Sequence, residues 1–232
     1  MKLLKQAGMG ICLLILSAGV ASAQGGMGMR RGMPTMSGIF NPVVGSGAAY
    51  EMTDAEGQKN TMEISIVGKE SVDGKDAYWF ETSLDNPRMG GTMVMKTLTT
   101  IDAGNSVSTK TIMQMPGRPP MEMPSMMQGQ GRGGRGPQSS YSDIRSSADD
   151  LGSETITVPA GTFTAEHYKQ KDGSGEVWVS NKVAPYGLIK SVGKDSTMVL
   201  TKVITDAKDK ITGTPVPFDP SMMMRGGGPP QQ

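Results

Sequence analysis

Residues 61–83 decide the fold: Thr61-Met62-Glu63-Ile64-Ser65-Ile66-Val67, then Asp73-Gly74, then Ala77-Tyr78-Trp79-Phe80-Glu81-Thr82-Ser83. In the first run Met62, Ile64 and Ile66 alternate with polar residues. A period of two places them on one face of a strand. Tyr78 and Phe80 do the same in the third run. Asp-Gly between two such runs is a tight hairpin turn, because both residues tolerate positive φ.

The pattern extends in both directions. Upstream, 48–53 opens a strand. Downstream come 92–98, a turn near Ala103-Gly104-Asn105, and 107–113 as the returning partner. A second block follows. Tyr141, Ile144, Ala148 and Leu151 have the spacing of one short helix ending at Gly152. Strands are expected at 155–158, 162–169, 176–180, 187–192 and 197–204. They are punctuated by Pro159-Ala160-Gly161, Asp172-Gly173-Ser174-Gly175 and Gly193-Lys194-Asp195. The choice of apolar residues agrees. After Ala23 there are 14 Val and 10 Ile against 5 Leu. Branching at Cβ favours the extended chain. The expected fold is mainly β: a single curved antiparallel sheet, a half-barrel, with at most one or two short helices.

The ends set the boundaries. Lys2 and Lys5, the apolar stretch Ile11 to Leu16 and Ala21-Ser22-Ala23 follow the order of a secretory signal, with cleavage after Ala23. Cys12, the single cysteine, lies within that leader, so no disulfide and no lipid attachment are expected in the mature chain. No later stretch has the ~20 apolar residues of a membrane-spanning helix. The expected location is therefore periplasmic or secreted. The reading divides the chain into a signal peptide (1–23), a disordered low-complexity segment (24–46), one β domain (47–213) with a disordered insert at about 116–140, and a disordered tail (214–232). The three polar tracts are rich in Gly, Met, Arg and Pro, which bury little surface for the chain entropy they cost. Without residues 1–23 the formal charge is 21 − 22 = −1, which gives no field toward nucleic acid.

The second block carries a further pattern. Val158-Pro159-Ala160-Gly161-Thr162-Phe163 is followed by Trp178-Val179-Ser180, by Pro185-Tyr186-Gly187-Leu188-Ile189-Lys190, and by a closing strand at 197–204. This resembles secreted bacterial proteins with a fold similar to the lipoprotein carrier and receptor family, the LolA/LolB-like half-barrels. The resemblance covers mainly 151–204. It implies a curved sheet whose concave face holds a lipid or other apolar ligand. No ligand-contact residue maps across.

Little in the chain suggests catalysis. His167, the single histidine, stands mid-strand on a face shared with Phe163 and Ala165, and a half-exposed strand histidine is the plain alternative to a general base. Ser191-Val192-Gly193-Lys194 fits Ser-x-x-Lys, a pattern that needs a helix and here falls on a strand end. Asp149-Asp150 reads as solvated surface. No catalytic residue and no cofactor is expected. Metal is the alternative reading. Met113, Met115, Met121, Met123, Met126 and Met127 place thioethers close together, and thioether sulfur suits Cu(I) and Ag(I). Adaptable apolar contact accounts for the same methionines. The expected roles, in order, are a non-enzymatic envelope protein binding a lipid or apolar ligand, a Met-rich Cu(I)/Ag(I) binder, and a structural or interaction module with no small ligand; an envelope protein is the expected partner class.

Overall fold

In the computed structural model the described residues are 36–86, 90–102, 105–124 and 141–219. The chain begins with β1 (Met36–Gly38) and then builds a meander from β2 (Gly47–Asp54), β3 (Lys59–Val72), β4 (Lys75–Asn86), β5 (Gly91–Asp102), β6 (Asn105–Gln114) and β7 (Met121–Met123). After β8 (Tyr141–Asp143) and the single turn α1 (Ile144–Ser147), a second meander follows. It comprises β9 (Ala148–Val158), β10 (Gly161–Gln170), β11 (Gly175–Val179), β12 (Leu188–Gly193) and β13 (Ser196–Ile204). A two-residue strand, β14 (Val216–Pro217), ends it.

Twelve strands make one long, curved, open sheet in the order β14-β7-β6-β5-β4-β3-β2-β13-β12-β11-β10-β9. Nearly all pairs are antiparallel, as expected from hairpin connections. The exception is β14, which runs parallel to β7. The two meanders join where β2 pairs with β13. β1 and β8 form a separate parallel pair.

The 61–83 hairpin forms as its sequence requires. Val72 pairs with Lys75 across Asp73 (φ 51°) and Gly74 (φ 76°), the two positive-φ positions of a type I′ turn. Met62, Ile64, Ile66 and Phe80 are buried on one face. Neighbouring strands extend that face with Ala48, Tyr50, Met198 and Leu200. The Tyr50 hydroxyl, fully buried, donates to the Leu188 carbonyl at 3.1 Å. Burial, with Tyr186 nearby, pushes its pKa far above the ordinary tyrosine value.

Two irregular segments cover this core. Residues 39–41 bind the 180–188 loop through Ile39 N–H to Tyr186 O and Asn41 N–H to Pro185 O, both 2.8 Å. Phe40 then lies 5.8 Å from Phe80, and Phe80 stacks on Tyr186 at 5.8 Å and 11°. The loop is held by Ser180 N–H to Gly187 O at 2.7 Å and Gly187 N–H to Val183 O at 2.6 Å.

The structure corrects the sequence reading in several places. The helix expected from Tyr141 to Gly152 is only one turn, Ile144–Ser147, capped by the Asp143 side chain. Ala148 and Leu151 belong to β9, because ten of its eleven residues pair with β10, Leu151 being passed over at a register shift. Ladder pairing outweighs a Ser-rich segment with little helical preference. Strand residues also reach into stretches set aside as low-complexity. β1 and the core-covering 39–41 fall within 24–46, β7 falls within 116–140, and β14 falls within 214–232. Their backbone groups pair where composition offers no strand pattern.

Candidate functional site

The chemistry-bearing residues of the second meander gather around the single histidine. By register Gly152, His167, Trp178 and Lys190 stand opposite one another on β9, β10, β11 and β12. The His167 ring stacks on Trp178 at 4.2 Å and 16°. The Lys190 ammonium lies 4.8 Å above the same indole, a cation–π contact. Glu154 and Glu176 flank the imidazole, at 3.3 Å from Nδ1 and 3.1 Å from Nε2. Trp178 Nε1 also donates to Glu154. With a neutral ring one nitrogen donates to one carboxylate; with a protonated ring both can. Lys169 reaches Glu176 at 3.7 Å. Glu176 hydrogen-bonds Nε2 and Glu154 lies within ion-pair distance of Nδ1, so the two carboxylates orient the ring.

This cluster lies beside the sheet's long edge. β9 is exposed over Asp149 to Thr155, with Leu151 53% accessible. Among the described residues no strand pairs with its outer side. It carries Asp149, Asp150 and Glu154 and no base. Asp150 accepts from Gly152 N–H at 2.7 Å, where the register shifts by one residue. Gly152 adopts φ +93°, open to glycine at no cost. The opposite edge differs: β14 has two residues, one of them Pro217. An open cleft of about 410 Å³ is lined by Ile39, Ser153, Glu166, Tyr168 and Asn181. The Tyr168 hydroxyl donates to Glu166 at 2.9 Å, and its pKa is pushed up to about 12 by burial and by that carboxylate.

A second polar cluster joins residues 207–213 to the sheet. Glu81, 2% exposed on β4, accepts from Lys210 N–H at 3.2 and 3.0 Å. The Lys210 ammonium binds Glu63 at 2.6 Å and Ser83 at 3.1 Å, and Lys96 pairs with Asp209. Burial, then the Asp209 carboxyl, raises the Glu81 pKa to about 7 despite the Lys210 amide. Partial burial opposes ionisation of Asp209, but the Lys96 ammonium, the Ile211 N–H and Glu81 together outweigh it and hold that carboxyl below its ordinary value.

The other sequence candidates are dispersed. Ser191 sits on β12 opposite Met198, and Lys194 lies in the following turn, so no helix brings the pair together. Met113 and Met121 face each other on β6 and β7, Met123 faces Thr111, and Met115 follows the end of β6. Met126, Met127 and the expected cleavage site at Ala23 lie outside the described residues. Among those described, no group of three or more His, Cys, Asp or Glu side chains could hold a metal ion, and no helix is long and apolar enough to cross a membrane. The sequence reading missed Glu154, Glu176 and Lys190 as partners of His167. Alternation could have put Glu176 and Trp178 on one face, but only pairing brings four strands into one row.

No family model and no curated protein matches this chain. Two solved structures resemble it distantly. One is a protein from Bacteroides fragilis described as exported, with a YmcC-like fold. It has 14% identity and a TM-score of 0.37, over 72% of this chain and 99% of that one. The other is a protein from Parabacteroides distasonis described as a lipoprotein, with 14% identity and a TM-score of 0.34 over the same shares.

Proposed function

We propose that this protein is an exported, non-enzymatic interaction module that takes up an extended basic polypeptide segment along the β9 edge. The observation that carries this reading is the inequality of the two edges. One ends in a two-residue, proline-bearing strand; the other offers eleven residues of strand, with Asp149 and Glu154 on one face and Asp150 on the other; Asp149 has Lys171 at 4.0 Å and Glu154 faces His167. An open edge binds a further strand through its main-chain N–H and C=O groups, and side chains set the choice of partner. The signal-like leader supports placement outside the cytoplasm.

A lipid or other apolar ligand is the second reading, drawn from the half-barrel resemblance. The packing argues against it. Phe40, Phe80, Tyr186, Leu188 and Trp178 already occupy the interior where an acyl chain would lie, and Phe163 packs against them.

The test is binding of an extended ten-residue Lys-Thr repeat peptide, followed by fluorescence anisotropy and amide hydrogen exchange. Binding that weakens with salt and slows exchange along β9 is expected, as is its loss in Asp149→Lys/Asp150→Lys. Absence of binding to the native protein, or unchanged binding to the charge-reversed variant, would sink the proposal.

A further inference from the structure

Three methionines stand in register across three adjacent strands: Met95 on β5 opposite Met113 on β6, and Met113 opposite Met121 on β7. Directly opposed residues share one face of a sheet, with Cβ atoms about 4.5–5.5 Å apart. Two torsions, about Cα–Cβ and Cβ–Cγ, place the methionine sulfur, so the central thioether can turn toward either neighbour. The row continues through Thr82 and Ile64, on the face that holds the core. Met121 is fully buried, and Met95 and Met113 are half-buried.

The same-face neighbours along these strands are uncharged. Two residues along each strand on the same face are Met93 and Thr97 on β5, Thr111 on β6 and Met123 on β7. Carboxylates and ammonium groups are missing from these rows. A hard cation would find no anionic oxygen in these rows. A soft monovalent cation needs none, because thioether sulfur is polarizable and neutral. A single charge also costs less to bury than a double one.

We infer that Met95, Met113 and Met121 form a three-thioether site for a soft monovalent cation, of the class of Cu(I) and Ag(I), on the core face of β5–β7. This site belongs to the folded sheet and is independent of the β9 edge. Of its three methionines, Met121 falls within the 116–140 stretch of the sequence reading, and Met95 and Met113 lie on strands before it.

Ag(I) alone is the probe, since it needs no reductant. A ligand that binds only the folded state raises the melting temperature, whereas binding to tracts outside the fold does not. The full mature chain is expected to melt several degrees higher with excess Ag(I). Met95→Leu/Met113→Leu/Met121→Leu is expected to lose that rise and one equivalent of Ag(I), while keeping the remaining equivalents. Met to Leu conserves volume and is among the best-tolerated core exchanges. Should the triple variant fail to fold, peroxide oxidation of the native chain read by mass spectrometry decides the matter. Ag(I) is expected to shield Met95 and Met113. No rise in the native protein, a rise that persists in the triple variant, or oxidation of Met95 and Met113 unchanged by Ag(I) would overturn the inference.

Discussion

Gly187 shows how closely single residues are specified in the loop that covers the core. Its φ is +71°, and a Cβ built there would lie 2.9 Å from the Ser180 carbonyl oxygen. Both the backbone region and the space exclude a side chain. Gly187→Ala is expected to destabilise the fold by about 1–3 kcal/mol, measured by urea unfolding. A cost near zero would show that the loop rearranges freely. Glu81 makes a different prediction. Its folded pKa, about 7, exceeds the ordinary glutamate value. The stability it contributes is therefore fully present below the ordinary glutamate range and is lost as pH rises through about 7. Asp209, held below its ordinary value, acts in the opposite sense: its contribution is present above the ordinary aspartate range and lost as pH falls. The groups facing Glu81 are Glu63, Ser83, Lys96, Asp209 and the Lys210 amide and ammonium. Melting temperature should decline between about pH 4.5 and 7 in the native protein and remain flatter in Glu81→Gln, which keeps an acceptor for Lys210 N–H. Equal slopes in the two proteins would remove Glu81 as the source.

At the scale of elements, hairpin chemistry and long-range pairing contribute separately. The turns at Asp73-Gly74, Pro159-Ala160 and Lys194-Asp195 were all visible in sequence, and each joins strands paired in the structure. The length of β9 was not visible. Sequence alternation identified 155–158, yet the strand begins at Ala148, because a register shift near Gly152 lets an irregular pattern continue to pair. The same shift bends the exposed edge, a common guard against indiscriminate strand addition. Thus the β9 edge should bind a complementary partner while the purified protein stays free of fibrils. Growth of thioflavin-positive fibres at neutral pH would contradict that expectation.

Across the whole molecule, the two meanders are joined by one long pairing between distant segments. β2 and β13 unite two meanders whose paired residues lie about 140–160 positions apart, for example Ser196 with Asp54 and Ile204 with Gly47. Such non-local contacts must form against a large loop-closure cost, so folding should be slow for the chain's size. The junction also predicts that the halves recognise each other. Residues 24–128 and 129–232, produced as two polypeptides, are expected to co-purify as one folded complex. The β2–β13 ladder, the shared core and the β14–β7 pair hold them. Recovery of either half alone as a stable folded species would show that the junction is dispensable.

Local chemistry wrote the strands and turns into the sequence: period-two apolar residues, β-branched side chains and positive-φ turn residues act over a few positions. The soft chemistry of methionine was legible in the same way, and so was the solitary position of His167. Only the tertiary structure decided what those residues meet. Met95, which no short-range motif links to Met121, joins it through Met113 because three strands pair in one register. His167 meets Glu154, Glu176 and Trp178 because pairing fixes which strands are neighbours. Glu81 is buried because residues 207–213 cross back over its strand. In each case the cause is a contact between segments far apart in the chain, and such contacts leave no periodicity in either segment alone.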